Sequence, residues 1–198
     1  LSGTLPDAMA SVEHQPDSRF DALLAEVAAE RKGQVMLSEA HHCAAREHGT
    51  FQLARDAAPQ ESITAFLAAR CGVADGTTSF SMTSVKVPRG ATELSIFQHL
   101  HDPVMRMLSG SLTHGPVSAG LWYGRKGNQV LVTLAVSRRM ARLEPVPFVP
   151  GEGGVVTVRG ELLDPADDLT VLVNQGRYGL ARCTLDDQVA LPRFVASC

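Results

Sequence analysis

Seven histidines and four cysteines carry most of the reactive chemistry available to this 198-residue chain. Glu39-Ala40-His41-His42-Cys43, with His48 beyond it, holds the residue types of a zinc site, because imidazole nitrogen and thiolate sulfur are good ligands for that ion. The spacing argues against one. His41 and His48 are two helical turns apart, whereas ligand pairs on one helix usually sit four residues apart. Cys43 projects onto an apolar face and His42 toward solvent, so the sequence assigns neither a metal nor a cofactor. His99 and His101 flank Leu100 and point to different sides of a helix. His114 with Trp122 and Tyr123 could line a cleft for a small apolar or sugar ligand; against this, Trp122 and Tyr123 alternate across a strand, one in the core and one at its rim. Cys43 with His48, or Cys71 with a distant histidine, could be posed as a nucleophilic dyad, but neither lies in a catalytic signature. No Gly-x-Ser-x-Gly elbow occurs. Gly151–Gly154 follows prolines and precedes a strand, which is the wrong context for a phosphate-cradling loop. Asp167-Asp168 and Asp186-Asp187 have the look of turn formers. No catalytic residue is assigned.

Helices must position the histidines. Asp17 or Ser18 can cap a helix in which Phe20, Leu23, Leu24, Val27 and Ala28 recur at three- and four-residue steps, and Gly33 ends it. A second helix is predicted from Ser38 to His48, with Leu37, Ala40, Cys43 and Ala44 inward and Gly49 as its stop. A third runs Gln60 to Cys71, with Ile63, Phe66, Leu67 and Arg70 on one face and Gly72 at its C-terminus. Ala91 to Leu108 returns to helical spacing through Leu94, Phe97, Leu100, Val104 and Leu108, kinked or split by Pro103. Ser79–Val87 is a strand closed by Pro88. Ser118–Tyr123 and Gln129–Val136 are strands joined through Gly124-Arg125-Lys126-Gly127-Asn128 as a hairpin. The fold class is α+β, with helices followed by a small antiparallel sheet.

Residues 1–16 lack periodicity and are expected to be an extended leader before a first domain over 17–143. Prolines 145, 147 and 150 with glycines 151, 153 and 154 mark a linker over 144–154. Beyond it, residues 155–198 read as β: Val155–Leu162, Leu169–Asn174 and Tyr178–Thr184, with Asn174-Gln175-Gly176 as a turn. These few strands are too short for an independent sandwich; they either pack on the first domain or belong to a longer β domain. A net charge of −3 gives no electrostatic hold on nucleic acid, and no apolar run reaches the ~20 residues of a membrane-spanning helix. Fifteen of the 18 basic residues are Arg, a skew typical of a GC-rich coding sequence.

Four cysteines allow three connectivities. Cys43 with Cys71 would join the second and third helices, and Cys183 with Cys198 would close the C-terminal segment, each bridge being worth ~3 kcal/mol by loop entropy. Four buried free thiols in a cytosolic protein are the alternative.

Four stretches taken in order, LLAEVAAERK (Leu23–Lys32), LSEAHHCAAREHGTF (Leu37–Phe51), LHDPVMRML (Leu100–Leu108) and THGPVSAGLWYGRKGNQVLVTLAV (Thr113–Val136), resemble the CAP superfamily of cysteine-rich secretory, antigen 5 and pathogenesis-related proteins. The likeness is to its compact bacterial members and covers roughly residues 17–140. No single motif is specific; order and spacing carry it. The resemblance implies an α-β-α layered domain, export and therefore disulfides. It also implies a cleft in which many family members hold a divalent cation with two His and two Glu. Here the family histidine after the second helix falls near Asp56, the glutamate near Phe80-Ser81-Met82, and a further histidine on Met105. A degenerate member is expected, without the metal and kept for its shape: a secreted, periplasmic or cell-surface bacterial protein that binds a protein or envelope partner without catalysis. His48, Asp56, His99, His101, His114 and Trp122 are the candidate cleft contacts. The alternatives are a hydrolase or metal-dependent enzyme using a histidine-lined cleft, and a structural subunit of a surface assembly.

Overall fold

The computed structural model describes residues 18–73, 77–113, 115–144, 146, 151–164, 166, 168–174 and 179–198. The leader over 1–16, His114, residues 145 and 147–150 of the proline-rich linker, Asp167 and the turn at 175–176 lie outside them. Two compact units divide the chain, one ending at Arg138 and the other running Arg139–Cys198.

In the first unit, Ser18 accepts a hydrogen bond from Asp21 N and opens helix α1, Arg19–Glu30, which buries Phe20, Leu23, Leu24 and Val27. A short strand β1, Val35–Leu37, leads into α2, Glu39–Arg55. Helix α3 spans Glu61–Arg70, strand β2 Thr78–Lys86 and helix α4 Glu93–Ser111. Strands β3, Val117–Lys126, and β4, Gln129–Arg138, form a hairpin around Gly127-Asn128, where Gly127 supplies the positive φ (64°) that the tight turn needs. The sheet order is β1-β3-β4-β2, with β1 parallel to β3 and the other pairs antiparallel. The fold class is α+β.

Strand alternation sorts the sheet into two faces. Val117, Ala119, Leu121, Val130, Val132, Leu134 and Val136 point to a large apolar core shared with α1 and α4. Ala135, Phe80 and Trp122 point to the other face and pack with Ala44 and Ala45 of α2 and Cys71 beyond α3. Four expectations need correction here. The sheet is mixed, because the three-residue β1 is too short to show alternation in sequence. Pro103 neither splits nor ends α4, which runs on with Ile96, Leu100, Val104 and Leu108 buried in one line. Phe66 and Arg70 do not face inward: Phe66 is 63% exposed, and α3 buries Leu67 and Ala68. Finally, Gly49 does not stop α2, which continues for six more residues.

The second unit begins earlier than the proline-rich stretch. Strand β5, Ala141–Leu143, pairs with β6, Thr157–Leu162. Strands β9, Thr184–Leu185, and β10, Arg193–Ser197, complete a sheet ordered β5-β6-β10-β9. Strands β7, Leu172–Asn174, and β8, Leu180–Arg182, make a separate two-stranded ribbon. Both disulfides are present, Cys43–Cys71 and Cys183–Cys198. Asp186 Oδ1 accepts from Gln188 N, a turn-forming role for that carboxylate.

Candidate functional site

Helix α2 places three histidines against the sheet. Its N-cap, Ser38, accepts from His41 N and is also hydrogen-bonded to His41 Nδ1 at 2.9 Å. His41 Nε2 lies 2.9 Å from Ser137 Oγ, which in turn lies 3.0 Å from Thr78 Oγ1. A single imidazole thereby bridges the start of α2 to β4 and, through a second hydroxyl, to β2. His42 does not point to solvent, as its place in the sequence suggests. It is buried, its Nδ1 lies 2.6 Å from the Leu121 carbonyl and 3.7 Å from Asp21 of α1. The cause is that α2 crosses β3 at Gly120, where a Cβ would collide with the His42 backbone.

His48, two turns beyond His41, is 4% exposed and lies flat on Phe80, ring centroids 4.3 Å apart and planes 11° from parallel. Burial pushes its pKa below the ordinary histidine value, so it is neutral near pH 7. Beside it Gly49 meets the sheet so closely that a Cβ would come within 2.8 Å of Thr133 Oγ1 and 2.5 Å of the Trp122 ring. Gln52 follows one turn further along α2. His48 Nδ1, Gln52 Oε1 and Thr133 Oγ1 are all buried and have no hydrogen-bond partner among the described residues. Of the candidate cleft residues, His48 and Trp122 are therefore brought together, in a closed interface between α2 and the sheet. Phe80 lies under His48, and Thr133 pairs with Trp122 across the hairpin beneath Gly49. Nothing in the sequence marked Gln52 or Thr133, since the burial of their polar atoms depends on how α2 lies on the sheet.

The other candidates lie apart. Asp56 is the exposed left-handed cap (φ 53°) at the end of α2. His99 is exposed on α4, and His101 Nδ1 lies 3.0 Å from the exposed carboxylate of its neighbour Asp102. Met105 packs against the core on the α1/α4 face, opposite Phe80. Phe80 and Ser81 themselves diverge: Ser81 Oγ hydrogen-bonds Ser111 of α4 at 3.0 Å. The positions where the resemblance places family ligands thus do not converge. Among the described residues no group of three or more His, Cys, Asp and Glu could hold a metal ion.

On the α1/α4 face, Phe20 packs against Phe97 and Tyr123 at 5.1 and 5.2 Å, with the Arg19 guanidinium 6.0 Å above Phe97. Burial, then the Glu93 carboxylate, pushes the Tyr123 hydroxyl up to about 12, so it stays protonated. A polar groove of about 520 Å³ lies where α1 and α4 end, and Arg31 donates there to the Leu112 carbonyl at 2.6 Å.

The second unit presents a different surface. Seven of the nine large hydrophobic side chains exposed among the described residues belong to it. On the β7–β8 ribbon, Leu172 pairs with Arg182 and Leu180 with Asn174, so the two leucines stand on one face as diagonal neighbours, 53% and 68% exposed. Their opposite-face partners, Val173 and Ala181, are half-buried. Among the described residues no helix is long and apolar enough to cross a membrane. No family model matches this chain, and no curated protein is similar to it.

Proposed function

We propose that this is an exported, non-catalytic binding protein of the bacterial envelope or extracellular space, built on a degenerate CAP-like α-β-α domain with the β unit as its contact surface. The observation that carries the reading is the exposed Leu172/Leu180 face. A two-stranded ribbon is marginal by itself, and exposed apolar clusters of this kind mark interaction sites on folded proteins. The two disulfides support an oxidising compartment. Buried against Phe80, the neutral His48 ring fills the α2 interface, in keeping with a domain that serves as a scaffold.

Saturable co-sedimentation of the purified chain with a bacterial cell-envelope preparation tests the reading. Binding should persist in the His99→Ala/His101→Ala variant, since both side chains belong to the first unit and not to the β unit that carries the proposed surface. Failure to bind the envelope, or loss of binding in that variant, would turn the account toward a histidine-lined site.

A further inference from the structure

Strand β2 is the outer strand of the first unit's sheet, and it pairs with β4 without a bulge from Thr78↔Ser137 to Lys86↔Gln129. Its outward hydrogen-bonding groups can be identified. The two-residue turn makes Lys126 and Gln129 the hydrogen-bonded pair that closes the hairpin, so odd residues of β4 bond toward β3 and even residues toward β2. Val87 N donates to Asn128 O at 2.7 Å, in the same phase. Ser79, Ser81, Thr83 and Val85 therefore bond inward. Thr78, Phe80, Met82, Ser84 and Lys86 direct N–H and C=O away from the sheet, and among the described residues none of these five makes a backbone bond to another element.

Protein edges are normally blunted by charge, proline, a bulge or a covering element. From Thr78 to Val85 this strand has no charge, no proline and no glycine, and none of its nine residues is buried. We propose that β2 is a strand-addition edge whose occupant is β2 of a second copy of this chain, antiparallel about a twofold axis at Met82.

The sequence is self-complementary about that residue. In a twofold antiparallel pair, residues whose backbone groups point outward must meet one another, and an axis at Met82 satisfies this. Phe80 then meets Ser84 of the second copy and Thr78 meets Lys86, which completes about ten backbone hydrogen bonds at two per narrow pair. Between these, Ser81 meets Thr83, a hydroxyl pair favoured across strands. The only charge, Lys86, faces a threonine and not its own copy. A twofold contact also closes on itself and gives a dimer instead of a fibre.

Sedimentation equilibrium of the full chain, from micromolar concentration upward, should show mass rising toward twice 21.1 kDa. Ser84→Pro removes an outward N–H without touching the bond ladder to β4; it should weaken association at least about tenfold while circular dichroism and melting temperature stay near wild type. Met82→Cys should cross-link the dimer under mild oxidation, because a narrow pair separates Cα atoms by ~5.5 Å, within disulfide range. A chain that stays monomeric at every concentration would overturn the proposal. So would a dimer that ignores Ser84→Pro and leaves Met82→Cys uncross-linked, or one that forms only after residues 1–17 are removed, which would assign the edge to that segment.

Discussion

His41 and His48 sit on one face of α2, yet one is hydrogen-bonded on both nitrogens and the other rests on a phenyl ring. Burial makes the His48 ring costly to protonate. Its folded pKa lies below the unfolded value of 6.5, so the unfolded chain binds the extra proton and stability must fall as pH drops below about 6.5. The loss should level off once pH passes beneath the folded pKa. Denaturant unfolding between pH 8 and 5 should therefore show a shallower pH dependence in His48→Leu than in wild type; equal slopes would contradict the burial argument. Two helical glycines give a second residue-scale contrast. Gly49→Ala gains helix propensity but forces a methyl into Trp122 and Thr133, so a net destabilisation of ~1–3 kcal/mol is expected. A methyl added at Gly110 in α4 would meet nothing within 4 Å, and Gly110→Ala should stabilise by up to about 1 kcal/mol. Chemical denaturation of the pair should give opposite signs.

At the scale of elements, caps and long apolar stripes are legible in the sequence. Ser18, the spacing of Phe20 to Val27 and the Leu100–Val104–Leu108 line announce α1 and α4, and Gly127-Asn128 announces the hairpin. Short strands are not: β1 has three residues and pairs with β3, a partner more than seventy positions away. The extent of α2 is hidden because glycine in sequence signals a stop, whereas here it is the residue that lets helix and sheet approach. The candidate site is legible only in part, since His48 and Trp122 stand out by type while Gln52 and Thr133 gain their meaning from packing. Cap energetics test this picture. Thr92 caps α4 at an exposed end, and Thr92→Ala should cost ~1 kcal/mol. Ser38→Ala should cost ~2–3 kcal/mol, because it also strips a partner from the buried His41 Nδ1. Equal losses in urea unfolding would mean that the Ser38–His41–Ser137 bridge adds nothing.

The whole molecule combines a first unit with an interface under α2 and a second unit that buries Phe194 but exposes seven large apolar side chains, Leu172 and Leu180 among them. One disulfide lies within each unit, Cys43–Cys71 in the first and Cys183–Cys198 in the second. Thiol titration of the denatured chain, purified without reductant, should find no free thiol; four would remove the argument for export. Envelope binding through the ribbon face is tested by comparing wild type with Leu172→Ser/Leu180→Ser in the co-sedimentation assay, both proteins being checked for native circular dichroism. Wild type should bind saturably and the double variant should lose at least about tenfold in affinity, since removing two exposed leucines forfeits on the order of 2–3 kcal/mol of apolar burial. Undiminished binding by a folded double variant would contradict it.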